Sequence, residues 1–310
     1  MDFFSLTLVI LGLGLFETVS SVDNAIINAE VLSTMGKKPR RWFLVWGLFF
    51  AVFAVRGLLP WLIVWQATPG LGPWQAVIAS FSSDPKVLTA VHASAPLLLM
   101  AGGVFLIFLF FNWLFLQNKT FGLYGEKFFY SQGVWFYAVV SVLLAVIVWQ
   151  AIKINPFLAF AAVIGSTAFF ITHGFKENAA KKENQLLRSH ISDISKILYL
   201  EVIDATFSID GVLGAFAFTL SVPLILIGNS LGALVVRQFT VHNVDRIKKY
   251  LFIKNGAMYS ILFLGIIMLA DAFGAKVPAW VSPTVTFAVV GFFFWKSLKH
   301  NRINGASRTA

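Results

Sequence analysis

The sequence predicts an all-α fold, a polytopic transmembrane helix bundle of about nine spans arranged as two inverted repeats. Three observations carry that expectation: a membrane-like composition, apolar runs of spanning length with basic residues in alternate connections, and one polar cluster that occurs twice inside apolar sequence. Of 310 residues, 58% are hydrophobic and 12% charged, against about 25% charged in ordinary soluble proteins, and the mean hydropathy is +0.80. Such a chain turns much of its apolar surface to lipid rather than to a single aqueous core. The formal net charge of +10 would point to nucleic acid in a soluble protein. Here the basic residues lie between apolar runs, so topology and attraction to anionic membrane lipids account for them, and no nucleic-acid partner is expected. The absence of cysteine removes disulfides and thiolate metal sites, leaving oxygen or imidazole for any metal, a donor set that suits hard ions.

Taken in order, apolar runs fall at about 3–32, 42–66, 88–117, 130–152, 157–173, 197–220, 222–241, 251–272 and 280–297, using roughly 17–25 residues per span. The first run carries Glu17, which a cleaved leader would not. Basic residues follow the odd-numbered runs, as at Lys37, Lys38, Arg40 and Arg41, whereas the alternate connections carry only Lys86, Lys153 and Lys276. By the positive-inside rule this puts the N-terminus outside and the C-terminus in the cytoplasm of a multi-pass cell (inner) membrane protein. The hydrophilic stretch from His173 to Ser195 reads as a solvated cytoplasmic connector. The expected division is one transmembrane domain, 1–310, with a first repeat over 1–117, linking helices and connector over 118–196, and a second repeat over 197–298.

The duplicated cluster is the functional signal. Glu17-Thr18-Val19-Ser20-Ser21-Val22-Asp23-Asn24 and Asp204-Ala205-Thr206-Phe207-Ser208-Ile209-Asp210-Gly211 share the pattern acid-x-x-x-Ser-x-Asp. Downstream of each, Gly and Arg keep one spacing, as Gly47 to Arg56 and Gly228 to Arg237. The copies begin in spans one and six, and an odd offset reverses orientation, the architecture of many secondary transporters with a midplane substrate site. Each carboxylate at the bilayer centre costs on the order of 2.5–3.5 kcal/mol, so the four acids together cost roughly 10 kcal/mol or more. That rivals the net stability of a typical domain, and a bound cation is the simplest compensation.

Helical spacing puts Glu17, Ser21, Asn24 and Asn28 on one stripe, with Asp23 off it; Glu201, Asp204, Ser208 and Gly211 form the equivalent stripe, with Asp210 off it. Either the helices unwind near Ser21–Asn24 and Ser208–Gly211, exposing backbone carbonyls, or the off-stripe aspartates serve other partners. The expected metal ligands are Glu17, Asp23, Asn24, Asp204 and Asp210, supported by Ser21, Asn28, Glu201, Ser208, Arg56 and Arg237. Carboxylate, amide and hydroxyl oxygens suit Mn²⁺, Ca²⁺ or Mg²⁺, and protons are an available counter-ion because desolvation raises carboxylate proton affinity. The competing structural reading pairs Arg56 with Asp23 and Arg237 with Asp210. His92 and His173 read as interfacial, Asn112 and Asp271 as partners of neighbouring helices, and Gly12, Gly14, Gly102 and Gly103 as close-packing positions. No nucleotide-binding loop, nucleophile set or dinucleotide fingerprint occurs in a suitable context, so neither an enzyme nor an organic cofactor is expected.

At these residues the chain resembles the TerC family of integral membrane proteins, grouped with the LysE-type exporters. The family's first motif, Glu-x-x-x-Ser-x-Asp-Asn, is matched by Glu17, Ser21, Asp23 and Asn24. Its second is matched by Asp204, Phe207, Asp210, Asn229 and Arg237, while Ser208 and Gly211 depart from it. The match is looser through spans four and five, as in a divergent branch. The resemblance implies export of a divalent metal, chiefly Mn²⁺ with Ca²⁺ next, through the four motif acids. Two alternatives stand beside it: a membrane scaffold of a metal or tellurite stress system with its acids locked in ion pairs, and a LysE-like exporter of an organic solute.

Overall fold

A computed structural model describes residues 2–50, 56–68, 70, 72–78, 85–188, 192–242 and 249–306. Among these every regular element is helical: α1 Phe3–Ser20, α2 Val22–Ser33, α3 Lys37–Trp42, α4 Leu48–Phe50, α5 Leu58–Ala67, α6 Pro73–Ile78, α7 Pro85–Leu116, α8 Tyr124–Ser131, α9 Phe136–Ile154, α10 Pro156–Arg188, α11 Asp193–Ala215, α12 Val222–His242, α13 Ile253–Ala272 and α14 Val281–Ala306. Six segments among the described residues are long and apolar enough to cross a membrane: 3–20, 93–116, 133–154, 156–178, 253–272 and 281–302. The chain is a multi-pass membrane protein. The first copy of the acidic motif begins in the segment 3–20, while its second copy and the two Gly–Arg blocks lie in the other three expected spans. The second is divided among α3, a wide π-helical turn at Phe43–Gly47, α4 and α5; the sixth, α11, carries Glu201, Asp204 and Asp210; the seventh has an apolar stretch at Val222–Gln238.

The α7 span is the spine of the bundle. Its residues 93–116 are 67% buried, against 17% for 133–154, which therefore lies at the periphery. α7 packs along α13 and α10, and α1 packs along α12 and α14. Lipid offers no hydrophobic drive between helices, so these crossings depend on small residues that let backbones approach. A Cβ on Gly103 would lie 3.0 Å from the Gly265 carbonyl oxygen, and one on Gly12 would lie 2.8 Å from Pro283 Cβ. On α12, Gly228 and Gly232 form a small-xxx-small pair against Leu13, Gly14 and Glu17 of α1.

Local chemistry fixes several ends. Ser192 caps α11, its hydroxyl accepting from the Ser195 N–H at 3.3 Å. Gly274, at φ +94°, closes α13 in the left-handed region, and Asp271 Oδ1 accepts from the Val277 N–H at 3.1 Å. Asp271 thus ties down the loop that follows its own helix.

Two expectations are corrected. The stretch after His173 is not a solvated connector from its start: α10 runs unbroken to Arg188, and His173 and Lys176 sit in the bundle. The paired helix breaks are not symmetrical either. α1 stops at Ser20 and α2 starts at Val22; Ser21 between them leaves helical geometry at φ −91°, ψ 4° and donates its hydroxyl to the Glu17 carboxylate. α11 instead continues through Ser208–Gly211, keeping its backbone ladder.

Gly232→Ala would place a methyl 2.6 Å from Glu17 Cβ and 2.7 Å from the Gly14 carbonyl oxygen. Overpacking of this kind costs about 1–3 kcal/mol, so the detergent-solubilised variant melts well below the parent. Gly291→Ala, with nothing within 4 Å, leaves the melting temperature unchanged.

Candidate functional site

Glu17 lies at the centre of the site because two glycines make room for it. A Cβ on Gly211 of α11 would sit 2.7 Å from Glu17 Oε2, and one on Gly232 of α12 would sit 2.8 Å from Glu17 Cγ. The stripe position of Gly211 is therefore used for close approach to Glu17, and not for unwinding. Glu17 Oε1 accepts from Ser21 Oγ at 2.8 Å and from Arg56 Nε at 2.8 Å, with Arg56 Nη2 at 2.7 Å. Arg56 Nη1 reaches towards Asp204 Oδ2 at 3.8 Å. Asn24 Nδ2 donates to Asp204 Oδ1, so α2 and α11 are joined at the acid of the second motif. Glu17, Arg56 and Asp204 are 1%, 4% and 9% exposed. An ion cluster of that burial depends on every member, because removing one partner strands the others.

A cavity of about 50 Å³ adjoins this cluster, lined by Ser21, Asn24, Asn28, Arg56, Asp204 and Arg237 with Phe43, Leu44, Gly47, Ala233 and Val236. Asn24 Oδ1 and Asn28 Oδ1 are buried without a hydrogen-bond partner among the described residues. Both oxygens of Glu201 are in the same condition, and its carboxylate lies where a side chain on Gly47 would collide with it. Asn229, wholly buried on α12, has neither amide atom paired among the described residues. It lies four residues before Ala233 and seven before Val236, on the helical face that lines the cavity. Unpaired buried polar groups are rare and call for a reason.

Both halves of the sequence therefore meet here. Glu17, Ser21, Asn24, Asn28 and Arg56 come from the N-terminal helices, and Asp204, Ser208 and Arg237 from α11 and α12. Ser208 spends its hydroxyl proton on the Asp204 carbonyl at 2.6 Å. Asp210 is elsewhere: it pairs with Lys176 of α10, not with Arg237. Arg56, in turn, holds Glu17 and Asp204. The side chains of Asp23, Phe207 and His92, all expected to matter or weighed, lie outside the described residues. Among the described residues no group of three or more His, Asp or Glu side chains is placed to hold a metal by itself, so amide oxygens would have to complete any coordination shell.

Sequence reasoning missed Lys176, because hydropathy ends the fifth span before it. Continuing the helical period past His173 would have found it. His173 is half-buried: it lies 3.4 Å from Asn112 Nδ2 and 3.3 Å from Glu177 and stacks on Phe169. Asn112 thus bridges α7 to α10, and its Oδ1 accepts from Gln117 at 3.2 Å just beyond the end of its own helix.

A family model described as "Protein of unknown function (DUF475)" matches residues 22–304. That is most of the chain, and the chain belongs to this family. No curated protein and no solved structure matches it.

Replacing Arg56 by Met leaves two buried carboxylates sharing no cation. Breaking a buried pair in this way costs about 3–5 kcal/mol, so thermal unfolding of R56M in detergent falls sharply, and the double variant R56M/E17Q recovers part of the loss.

Proposed function

We propose that this member of the DUF475 family is a transporter that carries a divalent metal cation out of the cell, Mn²⁺ first and Ca²⁺ next, and that the ion is seated in the small cavity beside the α1–α2 break. One observation supports this above the others. Acceptor oxygens of Asn24 and Asn28 line that cavity next to Asp204 without donors of their own among the described residues. Buried acceptors in that state are costly, and a cation supplies what they lack. Hard dications take carboxylate and amide oxygens together, the mixture present here. Glu17, Asp204, Asn24 and Asn28 would hold the ion, Glu201 would attract it at the edge, and Asp23 would contribute from its place two residues after Ser21.

In this reading Arg56 is a tethered countercharge. It pairs with Glu17 and Asp204 while the site holds no metal, and it withdraws as a dication enters, so the acids are never both unpaired in the bilayer. Arg56 alone bridges Glu17 and Asp204, which leaves that pair of acids with a net negative charge for a cation to meet. The duplicated motif, read as inverted repeats within nine crossings with the N-terminus outside and the C-terminus cytoplasmic, provides the two-fold architecture that alternating access requires. Protons exchanging onto the vacated carboxylates would balance the charge. The resemblance to the TerC family favours metal over organic cargo and outward over inward movement.

Purified protein in liposomes tests this by Mn²⁺ flux under a proton gradient. E17Q and D204N should each lower the flux by about 10–100-fold, and N28A by about tenfold, the scale seen when ligand sets or their supports are removed. Undiminished flux in both acid variants would support the scaffold alternative, and solute export indifferent to divalent ions would support the organic one.

A further inference from the structure

A second cavity, of about 520 Å³, lies on the other side of the broken helix, between α1–α2 and α7, α10 and α13. The broken helix is a partition. Ser21, Asn24 and Asn28 line the small cavity, whereas Val19, Val22 and Ile26 line the large one. α11 divides its acids the same way, Asp204 to the small cavity and Asp210 to the large. We propose that the large cavity is a second cation station, where a hydrated inorganic cation binds at Asp210 by displacing the ammonium group of Lys176. This deepens the transport reading and rests on it.

Size separates the two chambers. At roughly 30 Å³ per water molecule, the small cavity corresponds to one or two waters and the large one to more than a dozen. A dication in the small chamber must exchange its water for protein oxygens, whereas in the large one it keeps its first shell, which such ions give up reluctantly. Apolar walls that would strip a bare ion of solvation do not prevent a hydrated one from resting against a carboxylate.

The charges fit that role. Lys176 Nζ sits on Asp210 Oδ2, and Asp210 Oδ1 is buried without a hydrogen-bond partner among the described residues. Lys176 lies two residues before Asn178, the last residue of the membrane-length part of α10. With the span ending there, its flexible stem is long enough to reach the headgroup region, which gives the ammonium a polar place to go when displaced. The remaining polar groups are engaged, His173 with Glu177 and Asn112 with Gln117. Lys254 also lines the cavity, and its positive charge favours an ion screened by its own waters over a bare one.

The test is Mn²⁺ binding to the full chain in nanodiscs of neutral phosphatidylcholine, read by electron paramagnetic resonance of the free ion. Removing the competing ammonium in K176M should tighten binding by roughly tenfold or more, the scale on which a partly buried ion pair competes. K176M/D210N should lose that gain. Melting curves confirm that each variant is folded. In the unmodified protein, Mn²⁺ should raise labelling of Lys176 by an amine-reactive reagent several-fold, read by mass spectrometry. Unchanged affinity in folded K176M, a gain that persists in K176M/D210N, or Lys176 labelling indifferent to Mn²⁺ would overturn the proposal. D204N separates the two readings. An Asp210-dependent gain with transport untouched by D204N would keep the second station and remove the small-cavity site. Loss of transport in D204N with no effect of K176M would do the reverse.

Discussion

The structure is organised around the cost of holding Glu17 in the middle of an apolar bundle. Lipid cannot solvate a carboxylate, so the helices must, and they do so by converging. Gly211 and Gly232 bring two backbones against its side chain, Ser21 and Arg56 saturate one of its oxygens, and Arg56 extends the same charge to Asp204. The glycine pair of α12 is thus both a packing device and the slot for an acid. Close helix packing and ion placement are here a single constraint, because any bulk added at the crossing pushes Glu17 off its partners.

From that constraint the asymmetry between the two copies of the motif follows. The first copy breaks at Ser21, whose hydroxyl donates to the Glu17 carboxylate, and one turn on Asn24 donates to Asp204. The second copy stays helical and presents Asp204, Ser208 and Gly211 along one face. A broken helix meeting a continuous one leaves a small cavity at the break, with the two copies of the motif contributing to it differently.

Much of the site was legible because it is local. The stripe Glu17, Ser21, Asn24, Asn28 follows from helical period alone, and its burial on one side is what the period predicts. The close-packing role of Gly12, Gly14 and Gly103 was legible for the same reason, since small residues in apolar sequence have few other uses. What could not be read was partner choice across space. Arg56 holds Glu17 and Asp204, and Asp210 takes Lys176, which lies beyond the point where hydropathy marks the end of a span. The division of the second span likewise escaped hydropathy, which averages over the wide turn at Phe43–Gly47; that turn borders the cavity, where such turns often mark function.

The most direct measurement is the position of bound Mn²⁺, located by its anomalous scattering in crystals of the full chain grown with the ion. The account predicts a peak in the small cavity, among Asp204, Asn24 and Asn28, with the Arg56 guanidinium moved off Asp204. A peak remote from these residues, or saturating Mn²⁺ with no peak and the Glu17–Arg56–Asp204 cluster intact, would contradict it.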